Sequence, residues 1–139
     1  MADYEILDHT ADIGVIVRAG DLKSLFIKAA EAMFDVALEK PLPMKAAAIK
    51  KARLRLRAKN IEELMVRWLG ELLSLSDCED VVFTDFTVNQ LTAQDLNAVI
   101  GGRPRKDFKF KMEIKAVTYH DLKITGQDGD YRCQVIFDV

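Results

Sequence analysis

The sequence predicts an α+β fold: a single compact domain over residues 1–139, with mostly antiparallel sheet and two amphipathic helices. Three observations predict it. Two segments repeat apolar residues at the helical period, and several others alternate at the two-residue period of a strand. The alternating segments also gather after the second helix, joined by turn signals, as hairpin-connected strands rather than parallel strands with crossovers. At 139 residues, half of them apolar, the chain can bury a real core.

Residues 13–19 are rich in Val and Ile and close on Gly20, which reads as a strand. Asp21 then offers an N-cap, and Leu22, Leu25, Phe26, Ala29, Ala30, Met33 and Phe34 recur at helical spacing. The helix should run about 16–18 residues to near Leu38, with Pro41 and Pro43 stopping it. Residues 49–58 alternate: Ala52, Leu54, Leu56 and Ala58 face the core, and Lys51, Arg53, Arg55 and Arg57 face out. Asn60 with Glu63 makes a capping signal for a second helix through Leu75, whose core side holds Ile61, Leu64, Met65, Trp68, Leu69, Leu72 and Leu73. A shift of 39 residues aligns the two strand–helix units, Arg18-Ala19 on Arg57-Ala58 and Leu25 on Leu64. Duplication is one account of that match; the other is that any two amphipathic strand–helix units align this well.

Residues 81–91 form the next strand, with a break expected near Asp85. Residues 96–100 are a short strand ended by Gly101-Gly102 and Pro104. From Phe108 to Ala116 apolar residues alternate with Lys109, Lys111, Glu113 and Lys115, predicting another strand. Residues 122–125, the Asp128-Gly129 turn and residues 131–137 make a closing hairpin.

Charge excludes some functions. Twenty basic against 22 acidic residues give a net charge of −2, so any RNA contact should be local or made through a partner. Cys78 and Cys133 stand far apart, without the spacing of a zinc knuckle, and suit a reducing cytoplasm. No secretory signal and no apolar run of membrane-spanning length is present, pointing to a soluble cytoplasmic protein. P-loop, GxGxxG, GxSxG and HExxH motifs are all absent.

Three segments could carry chemistry. Asp8-His9-Thr10-Ala11-Asp12-Ile13-Gly14 offers Asp8, His9 and Asp12 as oxygen and nitrogen ligands within one loop, although Asp, His and Thr also serve as ordinary turn residues. Phe137-Asp138-Val139 brings a side-chain carboxylate and a terminal carboxylate together. If the last strand pairs near Asp12, three anionic groups converge, and their repulsion is costly unless a cation sits between them or water separates them; a terminal Asp is otherwise an ordinary solvated residue. Such hard oxygen donors suit Ca²⁺, Mg²⁺ or Mn²⁺. In Lys115-Ala116-Val117-Thr118-Tyr119-His120, Lys115 could serve the acidic site or a phosphate, and His120 could be a base or a turn residue. The strip Arg103, Arg105, Lys106, Lys109 and Lys111, and the row Arg53, Arg55 and Arg57, are either solvated strand faces or docking surfaces.

Taken in order, these segments resemble the archease family. The resemblance rests on the motif from Asp8 to Gly14, on Ala29-Ala30-Glu31-Ala32-Met33-Phe34, and on Glu63-Leu64-Met65 with Trp68-Leu69 and Glu71-Leu72-Leu73. It continues through Lys115-Ala116-Val117-Thr118-Tyr119-His120 and closes on Val135-Ile136-Phe137-Asp138-Val139. It implies an α+β protein that binds a divalent metal and activates an RtcB-type RNA ligase in tRNA splicing, promoting guanylylation of the ligase and multiple turnover. It further implies Asp12, Asp138 and the carboxylate of Val139 as metal ligands, with Asp8, His9 and Lys115 supporting the site or facing the partner. No catalytic residue is implied. Two other classes stand beside it: a chaperone-like or scaffolding module for RNA-modifying proteins, and a metal-dependent hydrolase with His9 or His120 as base. One stretch departs from the family pattern. Residues 101–108 lack the Gly-Glu and histidine that many archeases carry before the Lys-Ala-Val-Thr strand.

Overall fold

A computed structural model describes residues 3–8, 12–41 and 50–139, excepting the side chains of Leu7 and Asp8. Seven strands and two α-helices are found among them: β1 (Tyr4–Asp8), β2 (Asp12–Ala19), α1 (Leu22–Ala37), β3 (Lys50–Arg57), α2 (Ile61–Glu79), β4 (Val81–Leu91), β5 (Asp95–Pro104), β6 (Ala116–Gln127) and β7 (Asp130–Asp138). The strands form two antiparallel sheets, ordered β1-β2-β7-β6 and β3-β5-β4. The predicted α+β class holds.

Both helices touch both sheets: α1 lies against β2, β7 and β4, and α2 against β6, β4 and β3. That position explains their composition. In α1 the small residues Ala29, Ala30, Ala32 and Ala37 are buried together with Leu25, Phe26 and Met33, so the apolar surface wraps well beyond one stripe. Trp68 of α2 is fully buried, and its indole N–H donates to the Phe26 carbonyl at 2.8 Å, tying the helices together. One hydrophobic cluster runs through both helices and both sheets.

Helix starts follow the predicted caps. Asp21 accepts from the Ser24 N–H and Asn60 from the Glu63 N–H, each at 2.8 Å. Glu63 reaches back to the Lys59 N–H at 2.8 Å, one residue before the cap. The end of α2 differs from expectation: it continues past Leu75 to Glu79. Its last turn is polar and carries no apolar period, but Ser76 is buried and donates to the Val81 carbonyl, and Asp80 ends the helix in the left-handed region at φ 57°.

Two other expectations are corrected. β5 does not stop at Ile100 but passes through Gly101-Gly102 to Pro104. Gly102 permits a close approach rather than a turn, since a Cβ there would lie 2.6 Å from the Val82 carbonyl oxygen. Residues 108–115 are not a strand. After a 3₁₀ turn over Arg105–Asp107, the chain bonds to the carbonyl end of α1: the Lys111 N–H donates to Ala37, and the Glu39 N–H donates to Lys109, each at 2.9 Å. The alternation there is real, with Phe108, Phe110, Met112 and Ile114 turned inward, but the partner is a helix end. The break near Asp85 is a β-bulge between Phe83 and Asp85 within one continuous β4.

Candidate metal centre

The termini of β2 and β7 meet in one register row. β7 lies between β2 and β6, so Asp138 pairs with Asp12 on one side and Ala116 on the other. Residues directly opposite in an antiparallel pair share a face, with Cβ atoms about 4.5–5.5 Å apart. Asp12 and Asp138 therefore carry their carboxylates side by side, both half-buried. Among the described residues neither has an ion-pair partner within 4.0 Å. Like charges opposite each other in a sheet are destabilising unless something screens them.

The row behind is Gly14, Ile136 and Thr118, on the same face. Gly14 has no side chain and Ile136 is 4% exposed. Thr118 contributes a hydroxyl oxygen that is buried without a partner among the described residues. The two unpaired carboxylates are hard oxygen donors of the kind that Ca²⁺, Mg²⁺ or Mn²⁺ takes, and the Thr118 hydroxyl lies one row behind them on β6. Thr118 was legible only as part of a motif; its place beside the acids follows from β6–β7 pairing, which periodicity does not give.

The other expected residues are placed as follows. Val139 follows Asp138, and its side chain packs at the edge of the core, which fixes the chain beside the acidic row. Lys115 donates its backbone N–H to the Asp138 carbonyl at 2.7 Å, while its side chain is exposed. Asp8 pairs with Ile13, one position from Asp12, and its side chain is not described. His9 lies outside the described residues. Among the described residues no group of three or more His, Cys, Asp and Glu side chains comes together.

Other candidates resolve differently. His120 is exposed and 3.3 Å from Asp121, in an irregular stretch of β6 between Thr118 and Lys123 where Asp121 has φ 54°. In the strip 103–111, Arg103 pairs with Asp107 at 3.1 Å and Arg105 with Asp77 at 2.8 Å, with the Arg105 guanidinium 4.5 Å over the Phe110 ring. Those two arginines serve internal contacts rather than an open strand face. Cys133 is fully buried, and burial, together with the nearby Glu62 carboxylate, pushes its thiol up to about 12. It is held as the neutral thiol.

Comparison with known proteins points one way. The profile of the archease protein family matches residues 4–139. Proteins called archease from Methanosarcina mazei and Pyrococcus furiosus are 32% and 33% identical, over 98% and 100% of this chain and 95% and 100% of their own. The solution structure of Methanobacterium thermoautotrophicum protein 1598 superposes with a TM-score of 0.75 at 28% identity, covering all of both chains. A crystal structure from Thermotoga maritima, described as an archease and possible chaperone, shares the fold at a TM-score of 0.62 and 17% identity.

Proposed function

Because the chain belongs to the archease family, we propose that it is a cytoplasmic, metal-binding accessory protein that activates an RtcB-type RNA ligase in tRNA splicing and RNA repair. The observation that carries this reading is the Asp12–Asp138 pair, two carboxylates held opposite each other by the β2–β7 register. Two carboxylates kept on one face without a cationic partner are the kind of oxygen donors that a divalent cation takes, which supports this reading.

In this reading Asp12, Asp138 and the carboxylate of Val139 are the oxygen donors. Asp8 and His9 support the site or face the partner. Lys115 holds the last strand in place through its backbone bond to Asp138 and offers its exposed ammonium to the partner or to phosphate. A bound divalent cation supplies Lewis-acid charge near nucleotide phosphates, which carboxylates alone cannot. The chain's own work is to hold the donors in register and to present their face to the ligase.

The test is ligase turnover, counted as RNA ends joined per ligase molecule, with and without this protein. Limiting ligase should move from about one turnover to many, and Asp12→Ala or Asp138→Ala should cancel the gain by 10–100-fold or more, the usual effect of damaging a metal site. Full stimulation by a folded double variant ends the reading. A short extension after Val139 should weaken metal binding measured by calorimetry; unchanged affinity removes that carboxylate from the site.

The Thermotoga maritima protein is described as a possible chaperone, which suggests a chaperone-like module instead. Client capture needs a broad exposed apolar surface. Among the described residues Ile6 and Tyr119 are the large apolar side chains that stand exposed, which favours the ligase activator.

A further inference from the structure

The outer face of β3-β5-β4, away from the helices, carries a second and opposite charge pattern. Lys51, Arg53, Arg55 and Arg57 alternate along β3 with Ala52, Leu54 and Leu56, so all four cations share that face. Across β5 they stand opposite Gly101, Val99, Asn97 and Asp95. The two ends of the row have acidic company: Asp95 pairs with Arg57 at 3.1 Å, and Asp85 lies across Gly101 from Lys51. The middle does not. Arg53 and Arg55 are exposed, and neither has an ion pair among the described residues. They rim a shallow depression of about 380 Å³, lined also by Asn89, Asn97 and Val99.

We infer that this depression binds the phosphate backbone of single-stranded RNA, with Arg53 and Arg55 on successive phosphates. Same-face residues of a strand recur every ~6.8 Å, close to the phosphate spacing of an extended nucleotide strand. Guanidinium forks suit phosphate oxygens geometrically as well as electrostatically. Asn89 and Asn97 add neutral groups that both donate and accept. The Asn97 amide donates to Gln90 at 2.8 Å, leaving its carbonyl oxygen to accept from a ribose 2′-hydroxyl. Among the described residues no aromatic side chain lines the depression, so bases are not stacked there and recognition is independent of sequence. An acidic protein partner fits less well, because among the described residues Val99 and buried parts of Leu54 and Ala98 are the apolar lining, too little for an interface core.

The test needs neither ligase nor metal, so its result is separable from the ligase-activator reading. Anisotropy of a labelled oligouridylate is followed in EDTA between about 50 and 200 mM salt. Wild-type binding should weaken with salt. R53Q/R55Q should lower the log–log slope by about 1.4, two contacts at ~0.7 each, so that the fourfold salt rise costs about sevenfold less affinity than in wild type. R53K/R55K, which keeps the charge, should retain the slope, and matching melting curves show that the variants fold. Absence of oligouridylate binding at the lowest salt, or an unchanged slope in R53Q/R55Q, overturns the inference. Equal affinity for oligodeoxyuridylate removes the assignment to RNA. Arginine-dependent binding of polyglutamate in place of oligouridylate gives the face to an acidic protein and overturns it too.

Discussion

β2 enters α1 through Asp21, and thirty-nine residues later β3 enters α2 through Asn60, each cap oxygen accepting from the N–H three residues on at 2.8 Å. Locally the two units are built alike. Their settings differ. β2 is an interior strand between β1 and β7, whereas β3 is an edge of its sheet. The interior strand presents a carboxylate opposite another carboxylate, and the edge strand presents a run of arginines. An edge strand has reason to carry cations, because they deter pairing with another chain. An interior strand has no such need, so an acid pair on it calls for a different explanation, and a bound cation is the one proposed. One local grammar thus supports two opposite electrostatic faces, chosen by position in the sheet.

The comparison can be broken at three places. The largest effect is expected where the units are joined. Trp68→Ala removes a fully buried side chain and its bond to Phe26, and should cost about 3–5 kcal/mol in urea denaturation. A loss under about 1 kcal/mol would mean that the units are not coupled through this residue. The caps come next. Asn60→Ala should cost about 1 kcal/mol, and hydrogen exchange should place the loss in the first turns of α2.

The caps should also part company on acidification. The Ser24 N–H and hydroxyl hold the Asp21 carboxyl below its usual range. Its contribution is therefore complete above the ordinary aspartate range and lost as pH falls through the lowered folded value. Asn60 does not titrate. Glu63 beside it does, held low by the Lys59 N–H, with the same sign. Acid should thus release the cap oxygen of α1 itself but only the back-reaching partner in α2, and exchange rates in Asp21→Asn should lose the pH dependence at α1. The smallest effect separates the acid pair from the arginine row. Asp12→Asn should stabilise the metal-free protein by about 0.2–1 kcal/mol by removing like-charge repulsion. The same variant should lose the rise in melting temperature given by Ca²⁺, Mg²⁺ or Mn²⁺ in wild type. If Asp12→Asn destabilises the metal-free protein instead, the pair is held together by something other than a cation.

Elements with their own period and caps were legible in the sequence: α1 to within a residue, β3, the bulge in β4 and the closing hairpin. What misled was alternation without a strand partner. Residues 108–115 turn the predicted side chains inward, yet their hydrogen bonds go to the end of α1, and pattern records burial rather than pairing. Gly101-Gly102 read as punctuation, yet both lie within β5, and Gly102 answers a close backbone approach that only three dimensions reveal. At the candidate site the acids were visible as residues, but the place of Ala116 and Thr118 beside them was not, because it depends on which strand lies next to β7. The site belongs to the register, and register between distant strands is poorly encoded in local pattern.

The place of β7 also bears on the order in which the molecule can be made. It is synthesised last of the described strands yet sits between β2 and β6, with its final residues opposite the first residues of β2. A nascent chain can close the β1–β2 ribbon and pack both helices while β2 still shows an unpaired flank to any neighbour. Closing that flank joins segments separated by nearly the whole chain, a slow kind of contact to form. The acid row comes into being at that same moment, so the pairing of Asp12 with Asp138 reports that assembly is complete.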